Sequence, residues 1–513
     1  PSQGLRACAA GAAAAASLGL AARRRGPVRG RREPSRGSLV AARAAEAEQG
    51  SSRHLAEPKG EEGGGEAPPE QRALIVALVA AAYVIWQMDK VNMSVAVLPM
   101  QAQFGWDSGD KGLIQSSIFW GYASTQVLGG FLATRYGGKR VLLAAVTLWS
   151  LATAAAPFAA SMSTEVFVAS RVLVGIGEGL APASGLRMVA TWIPEEERSR
   201  AVSTLGAGKT TGSIVGLLLA PVVITSFGWQ AMFYSFGVLG LLWAVVWALL
   251  GEDREPPAAV AGHSAGASSS PEGEELPIPW LRILGTPQLW GVVVAHFCHD
   301  WGGYALLTWT PTYLNQVLGY NLQGSSSITV IPSVLAVTVA AFAGIAADKL
   351  HGGGMDLTSV RKTFQGLGFA LPCAMIGLLG TLDDVDPASP LPIVLLTIGI
   401  ASGAFSYAGL YSSHADLSAK YSGLVNGIST TFGALAGVCS NAYAGYMLKA
   451  TGSWAQAIFL PSVALYVIGW AVYSALYDAT PIDWDAPPGD DGEGGGKEVE
   501  QETPAMQAQP VNA

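Results

Sequence analysis

Charge is scarce in this 513-residue chain: 13% of its residues are Asp, Glu, Lys or Arg, against roughly 25% in ordinary soluble domains. Half of the residues are hydrophobic, so a soluble globular enzyme is excluded and a polytopic membrane protein is indicated. Cysteine is scarce too. Cys8, Cys298, Cys373 and Cys439 are scattered, three of them in apolar segments, which leaves neither a disulfide framework nor a thiolate metal site. No nucleophile or metal constellation of an intramembrane enzyme stands out, and no cofactor is expected. Acid is nearly missing from the amino-terminus, where residues 1–45 hold nine Arg and only Glu33. That composition suits an organelle transit peptide, with a Gly/Glu linker at 46–71 behind it. Base is nearly missing from the other end. From Asp478 onward nine acids face Lys497 alone, which accounts for the whole formal net charge of −8. Residues 478–513 therefore read as a solvated acidic tail.

What the chain does have is long apolar runs. Six blocks lie near 73–98, 112–134, 140–160, 166–192, 201–226 and 231–250, and six more near 288–311, 326–347, 363–381, 391–412, 422–447 and 455–477. A crossing helix needs about 20 residues. The fold class is therefore an all-α membrane protein with twelve transmembrane helices in two six-helix halves, 72–250 and 287–477, joined by a central loop at 251–286. Loop charge tests the count. Even-numbered loops hold Arg135, Lys139, Arg140, Arg198, Arg200, Arg254, Arg282, Lys349, Arg361, Lys362 and Lys420, and odd-numbered loops only Lys111 and Lys449. This bias places both termini on the face that carries the basic loops.

Against this background the charges inside the spans carry the chemistry. Arg171 and Glu178 lie seven apart in the fourth block, on one helical face and roughly 10 Å apart along the axis. Such charges look into a cavity or pair with each other. A structural ion pair is the alternative to a site, and Gly175, Gly177 and Gly179 also fit close helix packing. Lys90, beside Asp89, is late in the first span, and Arg171 is early in the antiparallel fourth, so the two cations reach one depth. His296, His299 and Asp300 lie mid-way along the seventh span. Two fixed cations and an imidazole make an anion well, in which Arg171 supplies a planar fork and Lys90 a point charge. Glu178, with Asp89, is the candidate coupling group, and His296 reads as a packing residue. His414 and Asp416, at the inner end of the tenth span, read as gate residues. HxxHD on one helix offers too few ligands for a metal. "GAGKTTG" at 206–212 resembles a phosphate loop, but Ser203 stands at the first Gly position and no strand precedes it. Its Lys209 either joins the anion well or snorkels.

The loops "GGFLATRYGGKR" and "AGIAADKLHGGG" resemble the loop-2 signature of the major facilitator superfamily. That resemblance implies a charged inner gate drawn from Arg135, Lys139, Arg140, Asp348 and Arg361. Thr134 stands where the first copy usually has Asp, so that latch is expected to be weaker or differently paired. "QMDKVNMSVAVLPM", "GLIQSSIFWGYASTQVLGG", "RVLVGIGEG", "TWIPEEERSR", "HFCHDWGGYALLTWTPTYLNQVLGY" and "HADLSAKYSG" resemble the anion:cation symporters of that superfamily, which include type I sodium/phosphate cotransporters, vesicular glutamate transporters and, most similar, plant plastid phosphate transporters. The resemblance implies Lys90, Arg171 and His299 as anion-binding positions. It also implies transport of a small anion coupled to Na⁺ or H⁺, with inorganic phosphate ahead of ascorbate, glutamate or another carboxylate. A membrane sensor without transport is the reading from another class. The expected partners are the anion and the lipid bilayer, with no nucleic acid, and the expected state is a monomer. The expected place is a plastid membrane, the envelope ahead of the thylakoid.

Overall fold

The computed structural model describes residues 67–254, 278–382, 386–387, 389–418 and 420–485. The expected transit peptide lies outside the described residues, as do most of the first linker and of the central loop. The described helices belong to one compact unit, Glu66–Ala513.

Among the described residues twelve long helices follow one another. In the amino-terminal half they are α1 (Pro69–Phe104), α2 (Ser108–Tyr136), α3 (Gly138–Met162), α4 (Thr164–Trp192), α5 (Glu195–Phe227) and α6 (Trp229–Leu250). A six-residue helix, Trp280–Gly285, leads into the second half. That half holds α7 (Pro287–Gln316), α8 (Leu322–Gly352), α9 (Leu357–Gly380), α10 (Leu391–Leu417), α11 (Ser422–Thr451) and α12 (Ala455–Leu476). Among the described residues, nine of the twelve are long and apolar enough to cross a membrane on composition alone. The other three, α2, α7 and α11, are poorer in apolar residues for a structural reason. Their buried faces carry Lys111, Gln115, His296, Thr308, Ser429 and Asn441, and α11 packs on α2 across the seam between the halves and on α7 within its own half.

Local chemistry sets the helix ends. α1 stops at Gly105, whose φ of 72° is the left-handed conformation that glycine adopts without strain. Asp107 then caps α2 in a reciprocal box: its Oδ1 accepts from the Asp110 amide at 3.0 Å and its amide donates to Asp110 Oδ2 at 3.0 Å. α10 is broken midway by a 3₁₀ stretch, Gly403–Tyr407. Here α9 comes so close that a Cβ on Gly409 would lie 2.7 Å from the Gln365 backbone nitrogen. The Gln365 side chain takes the freed Leu410 amide at 3.0 Å, which is how interrupted helices are satisfied inside a membrane.

Small residues weld the amino-terminal half together. A Cβ on Gly175 of α4 would lie 1.9 Å from the Ile118 carbonyl oxygen of α2, and one on Gly121 would lie 2.1 Å from Val172 oxygen. The phosphate-loop lookalike has a plain role. Gly208 and Gly212 of α5 sit against the α1 backbone, 2.7 Å from Ala80 oxygen and 2.3 Å from Val84 oxygen by the same measure.

Among the described residues the halves come backbone to backbone at one end. Gly112 of α2 and Gly445 of α11 touch backbone to backbone, at 2.7 Å for an added Cβ. About five turns further along the same two helix faces, Gly130 and Gly427 would meet nothing within 4 Å. Beside the closed end, Lys449 Nζ pairs with Asp107 Oδ2 at 2.7 Å. That is the one ion pair between the halves among the described residues. The closed end carries the odd loops, so the chain is open toward the basic-loop face.

The acidic tail begins later than its composition implies. Within 478–485 Ala479 and Trp484 are buried, Trp484 at 3% exposed, with its indole donating to Thr286 Oγ1 at 2.8 Å and its carbonyl accepting from Arg282 at 2.9 Å. The reading of 478–513 as wholly solvated is thus corrected at its start, because one tryptophan finds a groove that an average over the tail hides. Residues beyond 485 lie outside the described set.

Candidate functional site

A cavity of about 260 Å³ lies between the halves. From the amino-terminal half Lys90 of α1, Tyr122 of α2 and Lys209 of α5 line it, and from the other half His296, Asp300 and Tyr304 of α7 and Tyr411 of α10. Lys90 has an aromatic cage in place of a carboxylate. Its Nζ lies 4.0 Å from the Tyr122 ring centre, 5.3 Å from those of Phe119 and Tyr304, and 5.4 Å from that of Trp86. Such contacts stabilise a partly desolvated cation by about 0.5–2 kcal/mol each and leave its N–H groups available to an anion.

Arg171 is 1% exposed, and Nε, Nη1 and Nη2 have no hydrogen-bond acceptor among the described residues. Its guanidinium rests 6.0 Å from the Phe233 ring centre. It shares with Lys90, Gln115 and Thr308 a gap of about 10 Å³ next to the larger cavity. A buried guanidinium without acceptors is costly, and an oxyanion is the species that would relieve it.

No ion pair joins Arg171 to Glu178, so the structural-pair alternative is not what the fold adopts. Glu178 is fully buried behind Trp86, whose indole N–H donates to Oε2 at 3.1 Å, while Oε1 has no partner among the described residues. Asp89 turns away from the cavity into α3. It accepts from Thr153 Oγ1 at 2.6 Å and from Asn92 Nδ2 at 2.5 Å.

The histidines are placed the other way round from the sequence reading. His296 lines the cavity, whereas His299 faces the broken stretch of α10, with Nδ1 3.3 Å from Ser406 Oγ. His296, Asp300 and Tyr304 follow at intervals of four and share one face, and His299 falls off that stripe. Lys209, undecided in sequence, also lines the cavity.

The gate residues are brought together only in part. Arg361 forks onto Asp416, Nε to Oδ2 at 2.6 Å and Nη2 to Oδ1 at 3.2 Å, within the carboxy-terminal half. Asp348 is exposed and joins no ion pair among the described residues, so the expected second-copy latch through it is not formed. Arg135 and Arg140 are exposed, with Arg135 beside the Tyr136 ring. The Lys139 amide donates to Asp253 Oδ1 at 2.7 Å. Asp253, which the sequence reading did not single out, thus brings a carboxylate to the loop that lacks one at Thr134. His414 is buried, not at a gate surface. Its Nδ1 lies 3.0 Å from Tyr411 oxygen, its Nε2 has no partner among the described residues, and its ring centre is 5.6 Å from that of His296.

A cation-lined cavity between two six-helix halves, shut at one face and open at the other, is the working part of an alternating-access membrane transporter. The chain belongs to the Major Facilitator Superfamily, whose family profile matches residues 74–441. It is 40% identical over 408 residues to the chloroplastic ascorbate transporter of Arabidopsis thaliana, covering 79% of this chain and 74% of that one. To the chloroplastic sodium-dependent phosphate transport protein 1 of the same plant it is 39% identical over 408 residues, covering 79% and 78%. The fold matches a bacterial homologue of the human lysosomal transporter Spinster, solved inward-facing and unoccupied, with a TM-score of 0.63 at 16% identity, covering 80% of this chain and 98% of that one.

Proposed function

We propose that the chain is a secondary active transporter of a small anion, inorganic phosphate first, coupled to Na⁺ or H⁺ and working as a monomer in a plastid membrane, the envelope ahead of the thylakoid. The observation that carries the reading is Arg171: a fully buried guanidinium without acceptors among the described residues, beside a caged Lys90. In this reading Arg171 and Lys90 hold the anion, Glu178 and Asp89 answer to the coupling ion, and rocking of the halves transfers the site between faces. His299 acts on the site through α10 and does not touch the anion. Relatives named for phosphate and for ascorbate support an anion as cargo. A second reading, an organic anion such as ascorbate or another carboxylate, is favoured by the rings of Tyr122, Tyr304 and Tyr411 on a cavity of about 260 Å³, more room than a tetrahedral oxyanion fills. Proteoliposomes loaded with radiolabelled phosphate, ascorbate or glutamate in parallel test both. Arg171→Lys is expected to lose most uptake of the true substrate because the fork is lost while the charge remains. Equal uptake by Arg171→Ala and the unaltered protein would end the reading.

A further inference from the structure

The cavity holds charge of both signs, and the negative side belongs to the carboxy-terminal half. Asp300 Oδ2 lies 3.4 Å from His296 Nε2, and His296 Nδ1 lies 2.6 Å from Ser429 Oγ of α11. The pair is seated in a notch: a Cβ on Gly433 of α11 would lie 2.4 Å from Asp300 Oδ2 and 3.2 Å from His296 Nε2. Tyr411 of α10 reaches Asp300 Oδ1 at 3.5 Å. His296 is 2% exposed and Ser429 is fully buried. Titratable and charged groups face the pair from both halves. Lys90 of α1, Tyr122 of α2 and Lys209 of α5 face Asp300 within electrostatic reach. His299 and Tyr304 of α7, Tyr411 of α10 and Tyr466 of α12 do so from the other half. His414 of α10 faces His296.

We propose that Asp300 and His296 form a proton-binding site that competes with the substrate anion for Lys90 and Lys209. The inference rests on the anion reading above and adds a second coupling group, in the opposite half from Glu178. Without a proton the pair is neutral imidazole plus carboxylate and carries one negative charge. Nε2–H donates to Asp300, and Ser429 Oγ–H donates to Nδ1. One proton from the open aqueous face brings the pair to zero charge. It resides on Nδ1, where Ser429 turns to accept, or on the carboxylate, and no other bond is made or broken. The pair then sets no net negative charge against the two lysines, and an anion takes its place. In the empty, deprotonated carrier the carboxylate stands in for the anion when the halves close, so the unloaded carrier can return. Proton and anion therefore travel together.

Two measurements on the full-length protein test this. In detergent, affinity for inorganic phosphate and for ascorbate is measured from pH 5.5 to 8.5 in the unaltered protein and in Asp300→Asn. Comparing the two proteins at each pH cancels the ionisation of the probe. The expected result is that Asp300→Asn binds more tightly at high pH, with an advantage growing about tenfold per pH unit where one proton is linked. Uptake driven by a proton gradient should fall in that variant while anion exchange continues. A constant affinity ratio across the pH range, or undiminished driven uptake, overturns the proposal. The second measurement needs no substrate. The protonated-carboxyl band in acid-minus-neutral infrared difference spectra, or the imidazolium band in its place, should be lost in Asp300→Asn and kept in Glu178→Gln. Bands unchanged by Asp300→Asn overturn the proposal. If the unaltered protein binds neither probe at any pH, the anion reading has failed and the infrared result alone decides the proton site. Should Asp300→Asn fold poorly, Gly433→Ala, which drives a methyl into the carboxylate, must shift the same band or the proposal falls.

Discussion

Replacing Arg171 by Met should make the empty carrier more stable and the loaded one impossible. Three guanidinium nitrogens lack acceptors, and an unmet buried donor costs about 1–3 kcal/mol. The opposing losses are small. The Phe233 contact at 6.0 Å contributes about 0.5–1 kcal/mol. Asp89, the nearby acid, keeps its bonds from Thr153 and Asn92. Met fills similar space with no donors. Three unmet donors at the lowest figure, about 3 kcal/mol, exceed the ring contact, and the lost attraction of the guanidinium for Asp89 and Glu178 takes back part of the difference, so the net expectation is a gain on the order of 1 kcal/mol. Breaking a true buried ion pair would instead cost about 3–5 kcal/mol. The sign therefore separates a waiting site from a structural bond. Thermal unfolding in detergent, with and without phosphate or ascorbate, is the assay. The unaltered protein should gain about 2.7 kcal/mol at a hundred times Kd, and Arg171→Met should gain nothing from a higher starting point. A lower melting temperature for the empty variant, or a retained anion-induced shift, would refute the reasoning.

Asp107 lies in a loop outside the spans, and hydrogen bonding from Lys449 and the Asp110 amide holds its carboxyl below the ordinary 3.8. A depressed value in the closed state means the latch is fully present above the ordinary value and is lost only as pH falls through the lower one. Cysteine accessibility at the outer seam should therefore stay flat from pH 8 to about 5 and rise only in stronger acid. Because the pair is exposed, Asp107→Asn should change that accessibility by no more than about a few fold. Gly212→Leu should force α1 from α5, where even a Cβ sits 2.3 Å from Val84 oxygen. Folded yield should drop, with about 1–3 kcal/mol of overpacking as a lower bound. Labelling of single cysteines at Lys139 and Arg361 should report both on one membrane face, and opposite faces would undo the twelve-span topology.

The spans were readable because lipid demands long apolar runs and because loop charge records orientation, so Lys139 and Arg361 needed no coordinates. Arg171 and Lys90 were readable for the converse reason: a cation has few excuses in such a run. The choice between His296 and His299 was not readable. It depends on how α7 is rotated, and the notch at Gly433 that receives Asp300 and His296 lies over a hundred residues away. Asp253 escaped notice because the loop it serves lies 114 residues earlier. Lys209 could not be aimed without the glycine contacts that turn α5 against α1. α2, α7 and α11 fall below the hydropathy of the other spans because their polar faces are spent on the seam.

The glycine contacts also decide where the machine can yield. Where α4 lies on α2 and α5 on α1, main chain bears directly on main chain, with no side chain between them to change rotamer and absorb a shift. That half should swing as an anvil. In the other half α10 is interrupted, and two side chains of α9 bridge the interruption, Gln365 accepting from the Leu410 amide and Arg361 donating to the Ala408 carbonyl, which is the form of a spring. His299 leans on that spring through Ser406, and Tyr411, just past it, touches Asp300. Whatever fills the cavity therefore presses on the compliant member of the pair, and the load path of the rocking motion runs through α10.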